Sequence, residues 1–442
     1  MSERNRANIS LAFTDGSQVS MWDALSITDN YLDPLGNYSF AIAAPRAMVS
    51  ILDDRFAKGR LVKFYIDNDQ QSVLLITTKQ TIIGQAGVTF QVGCRTVLAT
   101  AYEGSVDPDA VRVYTADTVV TEVINEVMSH YGFDEVIAES ENDVSIKTGK
   151  PIEGWSDAGW SLEALTHKEA QPHPGETAYS YCSRIFARVG VVMHVNATGE
   201  LICSRPHYEQ SSSYALTCGD SRVDADMMLS EVTISDTNDG QFSEVVLLGE
   251  ATDKAGQTRA NRPVYRAQVG DAIDRNGTPY QDASTEKLRA GRHSYLSDEG
   301  AVYKPKIVVD KRTRDASMAK LVAGLAMGTR AANAYQLRCS VDGVRARTGA
   351  VWTVNTMVDV SIPILGINEP MFILERQISV SRTGGQVTSL TLIPKYSLVL
   401  DAAMAIDSGG TSTAASTGSD ARENGTADFK FGLPDWLGTI FS

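Results

Sequence analysis

Residues 174–206 read PGETAYSYCSRIFARVGVVMHVNATGELICSRP, and this stretch sets the frame for the rest of the chain. Pro174 and Glu176 suit a helix start, where proline gives up no hydrogen bond and a carboxylate favours the positive end of the dipole. Apolar residues then recur at Ala178, Tyr181, Cys182, Ile185, Phe186 and Val189, the spacing of one buried helical face. Gly190 stands where a left-handed cap would end the helix. Val191, Val192, Met193 and Val195 read as a strand, Asn196 to Gly199 as its turn, and Leu201, Ile202 and Cys203 as its partner. The expectation is a packed α+β unit, a pattern that assigns no chemistry by itself.

Towards the N-terminus, residues 8 to about 101 form short apolar runs: ISLAF, VSMWDALSI, YSFAIA, LVKFYI, VLLITTKQTI and VTFQVG. Turn-forming pieces such as DG, LDPLGN and DNDQQS separate them, which predicts a small closed or nearly closed sheet. The run Ala47 to Asp53 is a candidate helix between strands. A helix is expected over Ala116 to Tyr131, with Asp117 at its N-cap and Val119, Val120, Val123, Ile124 and Val127 on one side. A polar, glycine-rich excursion covers Gly132 to His173.

After residue 222 strands return as EVTISDT, SEVVLLGEAT and VYRAQV, with a second polar excursion over Gly270 to Tyr303. KPKIVVD leads to a helix expected from Arg314 to about Leu337, and then QLRCSVDGV, VWTVN, MVDVSIPILGI, MFILERQISVSR and QVTSLTLIP read as strands. Two stretches can be read as an internal repeat, the alternative being a chance likeness between two β-hairpins. LVKFYI with its following hairpin aligns on MVDVSI and its own, Ile66 falling on Ile362, Leu75 on Ile373 and Gly87 on Gly385.

The 442 residues suffice for several domains. Hydrophobic content of 43% and charged content of 21% are ordinary for a globular protein. A net charge of -14 argues against nonspecific nucleic-acid binding, which needs clustered cations on phosphates. No apolar run is long enough to span a membrane, and the first residues lack a secretory core, so the expected site of synthesis and assembly is the cytoplasm. The five cysteines (94, 182, 203, 218 and 339) include no C-x-x-C and are expected to be free, buried thiols.

The string from Pro174 to Pro206 resembles the PGET…RP signature of P-like tail hub proteins of contractile-tailed bacteriophages and prophages, the Mu-type hubs related to late control D proteins. The C-terminal strings VWTVN, MVDVSI, LGI, MFILERQISVS, TGG and QVTSLTLIP resemble the same family in the right order. The resemblance implies a β-rich α+β fold: a first tube-like barrel at 1–105, an α+β domain at 106–222 and a second tube-like barrel at 223–400. That second barrel would carry the inserted excursion and helix at about 265–337. It further implies a homotrimeric baseplate hub in the virion, adapting a six-fold tail tube to a three-fold spike. Its partners would be the tube or tube-terminal proteins, the central spike and neighbouring wedge proteins. Phage DNA would pass through its channel without specific binding, and no cofactor or metal is required. If the repeat is real, three chains present six similar units around one axis.

Residues 401–427 are rich in Ser, Thr, Gly and Ala, the composition of a flexible linker. The piece 428–442 then crowds Phe429, Phe431, Leu433, Trp436, Leu437, Ile440 and Phe441 together. Too short to form a core, it reads as a tethered docking peptide.

Catalytic patterns are weak. GWSDAGWS around Ser156 lacks the second glycine of a nucleophile elbow. His167, Glu169, His173 and Glu176 fit no helical metal spacing, and Glu176 as a general acid competes with its commoner role at a helix start. Asp67 with Asp69, and Asp224 with Asp226, read as loop or edge charges. The chain is therefore expected to be no enzyme. The alternatives are a hub-borne cell-wall hydrolase, which would need paired carboxylates in a cleft, or the equivalent hub of a tail-like bacteriocin or secretion spike.

Overall fold

The computed structural model describes residues 7–85, 87–107, 120–134, 136–140, 143–147, 172–186, 192–204, 206–207, 210–219, 225–236, 244–248, 264–268, 305–309, 335–382 and 384–395. Its first unit is built from β1 (Ile9–Phe13), β2 (Gln18–Val19), β3 (Ala24–Asn30) and β4 (Asp33–Ala44), then helix α1 (Val49–Arg55). The strands β5 (Leu61–Ile66), β6 (Asp69–Gly84) and β7 (Gly87–Thr96) follow, and short helix α2 (Ala99–Glu103) ends the unit. Alternation of buried and exposed residues along β4 points Tyr38, Phe40 and Ile42 into a core shared with Phe64, Phe90 and Leu11. The strands run in the order β3-β4-β7-β6-β5-β1-β2. β1 and β3 are not paired. The gap between them is spanned by Trp22, whose indole N–H donates to the Ile9 carbonyl at 2.9 Å.

The middle unit contains α3 (Val120–Ser129), β8 (Val136–Ser140), β9 (Asp143–Lys147), α4 (Ala178–Phe186), β10 (Val192–Val195) and β11 (Leu201–Ser204). The hairpin expected around residues 191–203 is present as β10 and β11, and β11 pairs in parallel with β8. Asn196 makes the turn work: its side-chain oxygen accepts the N–H groups of Thr198 and Glu200. Ile124 and Val127 of α3 and Tyr181 and Cys182 of α4 are buried together beneath this sheet. The α4 start differs from the expectation in detail. Thr177 is the capping residue, its hydroxyl accepting the Ser180 N–H at 3.2 Å.

The last units comprise β12 (Tyr214–Thr217), β13 (Asp226–Asp236), β14 (Glu244–Leu248), β15 (Val264–Gln268), β16 (Pro305–Val309), β17 (Tyr335–Asp342), β18 (Met357–Ile362), β19 (Ile367–Ser381) and β20 (Gly385–Pro394). β14, β15 and β16 form a separate three-stranded sheet. The other six close into a barrel, β18-β12-β13-β17-β20-β19, because β19 also pairs with β18. Trp352, Tyr214, Leu337 and Ile373 fill it.

Three expectations are corrected. The helix expected to reach Leu337 cannot do so, since Tyr335, Gln336 and Leu337 are strand, alternating buried and half-buried as a barrel wall requires. VWTVN is largely irregular, Trp352 being drawn inward as a plug rather than aligned in a ladder. Tyr214–Thr217 precedes the border set at 223 yet belongs to the second barrel, because it is the parallel strand that closes it.

Candidate assembly interface

The two barrels are joined by one strand. β19 is bulged between Ile373 and Glu375. Before the bulge it pairs with β18 of the second barrel, and after it Glu375–Ser381 pair with Asn30–Ala24 of β3 in the first. A bulge adds twist and re-aims the side chains beyond it. Met371 and Ile373 therefore point into the second core, whereas Ile378 points into the first and Val380 packs against it. Thirteen strands thus form one sheet running through both barrels.

The seam carries a buried ion pair. Arg376 donates from Nε to Asp29 Oδ2 at 2.9 Å, and its other nitrogens reach Asp29 and the Trp352 carbonyl. The Tyr38 hydroxyl donates to the second Asp29 oxygen. Burial alone would favour a neutral guanidine, but the Asp29 carboxylate outweighs it and raises the pKa of Arg376. Burial, with Asp29 adding to it, pushes the Tyr38 hydroxyl well above its usual range, so it stays a donor.

A second clamp lies at the rim. Arg345 donates to Asp67 Oδ2 at 2.8 Å, to Asp69 Oδ2 at 2.7 Å and to the Ile66 carbonyl at 3.2 Å. The pair Asp67 and Asp69, read from sequence as edge charges, thus ties the β5–β6 turn to the 343–350 loop of the second barrel. Sequence reasoning missed this because the partner lies far along the chain.

The repeat is visible as matching ladders. In both barrels a strand, a long hairpin and a return strand appear in the same order: β5-β6-β7 and β18-β19-β20. The return strand then pairs with β4 in one and β17 in the other, and these pair with β3 and β13. Cys94 and Leu392 stand at the same position, each pairing just before a bulge in the facing strand. Gly87 and Gly385 correspond as expected, and so do Ile66 and Ile362. Leu75 falls one residue away, on Phe372, because the second hairpin turn is one residue longer: Ser381 pairs with Gly385, where Gly84 pairs with Gly87. The ladders also equate SITD at 26–29 with TISD at 233–236, through Ser39 with Arg338 and Tyr38 with Leu337. That four-residue likeness was present in the sequence but too short to notice without the pairing.

The first barrel leaves its counterpart of the seam open. β5 pairs with β6 only as far as Leu75, so Thr78–Gly84 carry a free outer edge among the described residues. Ile82 and Ile83 there are 42% and 79% exposed. β13 pairs with β12 only at Asp226 and Met227, so Met228–Asp236 carry the other free edge among the described residues.

The remaining sequence candidates fall as follows. Glu176 is buried and bonded to Arg184, Oε1 to Nε at 2.8 Å, and accepts the His173 N–H at 2.8 Å. Burial would raise its pKa, but the Arg184 and His173 bonds bring it below the usual value, so it is an ionised anchor for α4 rather than a proton donor. His173 is exposed, and no group of three or more metal-ligating side chains occurs among the described residues. The five cysteines are free, with Cys218 only partly buried. Ser156, His167, Glu169, Asp224 and the docking residues Phe429, Phe431, Leu433, Trp436, Leu437, Ile440 and Phe441 lie outside the described residues.

Residues 330–394, which contain β17 to β20, match the family model described as a tail protein C-terminal domain. No curated protein matches the sequence. In fold the chain is similar to the tail protein from Neisseria meningitidis MC58, at 17% identity and a TM-score of 0.64 over 89% of this chain and 98% of that one. The 43 kDa tail protein of prophage MuSo2 from Shewanella oneidensis is similar at 17% identity and a TM-score of 0.64, over 89% of this chain and 99% of that one. The fold is that of tail proteins.

Proposed function

We infer that this chain is a structural component of a phage-type tail, acting as the trimeric hub of the baseplate. The observation that carries the reading is the seam: one chain holds two barrels of matching topology, fused side by side into one sheet through β19 and β3. A part that joins a six-fold tube to a three-fold spike needs two similar units per chain, so that three chains offer six on one side. The tail-protein fold and the C-terminal domain match support the same role. In this reading the ring encloses a channel, and the net charge of -14 suits a wall past which DNA slides without sticking. The tail tube or its terminal proteins sit on one face, the spike on the other and wedge proteins around the rim. The aromatic peptide at 428–442 docks one of these neighbours.

The test is light scattering and negative-stain imaging of the purified chain, alone and with its spike. A three-fold particle with a central opening and three chain masses is the expected result. Monomers in both preparations would remove the hub reading.

A further inference from the structure

The internal seam contains the instructions for an external one. Each barrel contributes an edge of the β19 kind and an edge of the β3 kind. Among the described residues one such junction is made within the chain, β19 on β3. The two edges left over, distal β6 and β13, are the repeat counterparts of β19 and β3 respectively. We propose that Thr78–Gly84 of one copy pair antiparallel with β13 of a second copy, in the register that β19 adopts on β3. This rests on the hub reading and supplies the contact by which its chains join.

The register follows from the ladders already described. Arg376, Gln377, Ile378 and Ser379 face Asp29, Thr28, Ile27 and Ser26. Their counterparts are Lys79, Gln80, Thr81 and Ile82 on one side, and Asp236, Ser235, Ile234 and Thr233 on the other. The new ladder therefore sets Lys79 opposite Asp236, Gln80 opposite Ser235, Thr81 opposite Ile234 and Ile82 opposite Thr233. The chemistry is kept where it matters, since a cation again faces an aspartate.

Two observations point to the same occupant. First, Arg376, Ile378 and Val380 share the face of β19 that the first barrel covers, the first two buried and Val380 half-buried. The equivalent face of β6 carries Lys79, Thr81 and Ile83, and here Thr81 and Ile83 are exposed, Ile83 by 79%. An isoleucine at that exposure on a strand edge is what a second barrel would cover. Second, Lys79 is held as Arg376 is held. Arg376 donates to the Trp352 carbonyl ahead of β18, and Lys79 donates to the Asp53 carbonyl ahead of β5 at 3.0 Å. Lys79 also bonds Asp53 Oδ1 at 2.8 Å. An ammonium has three donors, so the third is available to an incoming carboxylate.

The experiment mixes full-length chains carrying Ile82→Cys with full-length chains carrying Thr233→Cys, under oxidation, and maps the disulfide by peptide mass spectrometry. Chains with Ser235→Cys in place of Thr233→Cys serve as the out-of-register control. The expected result is an 82–233 cross-link at least tenfold more abundant than 82–235. A second variant, Ile83→Glu, sits at an exposed site outside the barrel core, and is expected to shift the particle from three chain masses to one. Trimers that neither cross-link at 82–233 nor respond to Ile83→Glu would overturn the proposed strand pairing and leave the hub reading standing. A wild-type chain that stays monomeric with and without spike would overturn both.

Discussion

Arg376 on β19 and Asp29 on β3 form a buried ion pair at the junction of the two barrels, with Nε and Oδ2 2.9 Å apart. The pair has two further polar partners, the Tyr38 hydroxyl and the Trp352 carbonyl. Removing one member leaves the other charged and dry, which costs about 3–5 kcal/mol. Asp29→Ala or Arg376→Met should each lower unfolding stability by that order in urea titration. Replacing both together should cost less than the sum of the singles. Single losses below about 1 kcal/mol would show that the charges add nothing to the seam beyond its backbone ladder.

Trp352 plugs the second barrel. It is fully buried, stacks at 4.5 Å between ring centroids on Tyr214, and so ties the 351–356 stretch to the strand that closes the barrel. Trp352→Ala removes the largest buried side chain of that core and should cost about 3–5 kcal/mol. Tyr214→Phe keeps the ring but loses the hydroxyl, which donates to the Val351 carbonyl at 2.6 Å, and should cost about 1 kcal/mol. Thermal unfolding of the two variants checks both the size and the order.

Much of the barrel fold was legible in the chain because its strands announce themselves locally. Tyr38, Phe40 and Ile42 alternate, and the Thr-Gly-Gly stretch before β20 marks a turn. The run Met371 to Leu374 breaks alternation, being buried on both faces, since β19 there lies between the second core and a cluster of Tyr31, Phe372 and Ile393. What local pattern cannot carry is pairing between distant strands. Nothing near Arg376 names Asp29 as its partner, and nothing near Arg345 names Asp67. The hairpin around Asn196 could be read outright, whereas the closure by Tyr214–Thr217 could not, because it pairs in parallel with both neighbours and a parallel pair has no hairpin signature.

Glu176 anchors the start of α4. Its carboxylate holds Arg184 eight residues on and the His173 N–H three residues back, closing the PGET turn onto the helix. Glu176→Gln keeps the shape and loses the charge, so stability should fall by about 2–3 kcal/mol, the worth of hydrogen bonds to a buried charge. Arg184→Met should cost about as much, and the double variant less than the sum. Independent, fully additive losses would show that the two side chains act separately.

The proposed docking role of the peptide at 428–442 makes a separate prediction, since a few aromatic anchors carry most of the energy of an interface. Deleting residues 428–442 should leave the unfolding transition of the barrels within about 0.5 kcal/mol, as for changes away from a core. Co-purification with spike or neighbouring baseplate proteins should drop. Unchanged assembly with all of them would remove the docking role.

His194 makes the chain sensitive to acid. It lies on β10 where the middle unit meets both barrels, its ring 6.4 Å from that of Tyr31. Burial, with His207 nearby adding to it, lowers the His194 pKa to about 4. The unfolded chain binds that proton near pH 6.5, so between pH 6.5 and 4 the unfolded state holds more protons than the folded one. Stability is therefore full above about pH 6.5, falls as pH drops through this window, and levels off for this group below pH 4. The shift is worth about 3 kcal/mol. Glu176 contributes in the same sense but lower, losing its stabilising charge as pH falls through its depressed pKa. The two are separable in urea titrations at pH 7.0, 5.5 and 4.5. His194→Phe should flatten the decline between 7.0 and 4.5 relative to wild type, while Glu176→Gln should leave that part of the curve in place. A wild-type stability that is level across this range would overturn the assignment of a depressed pKa to His194.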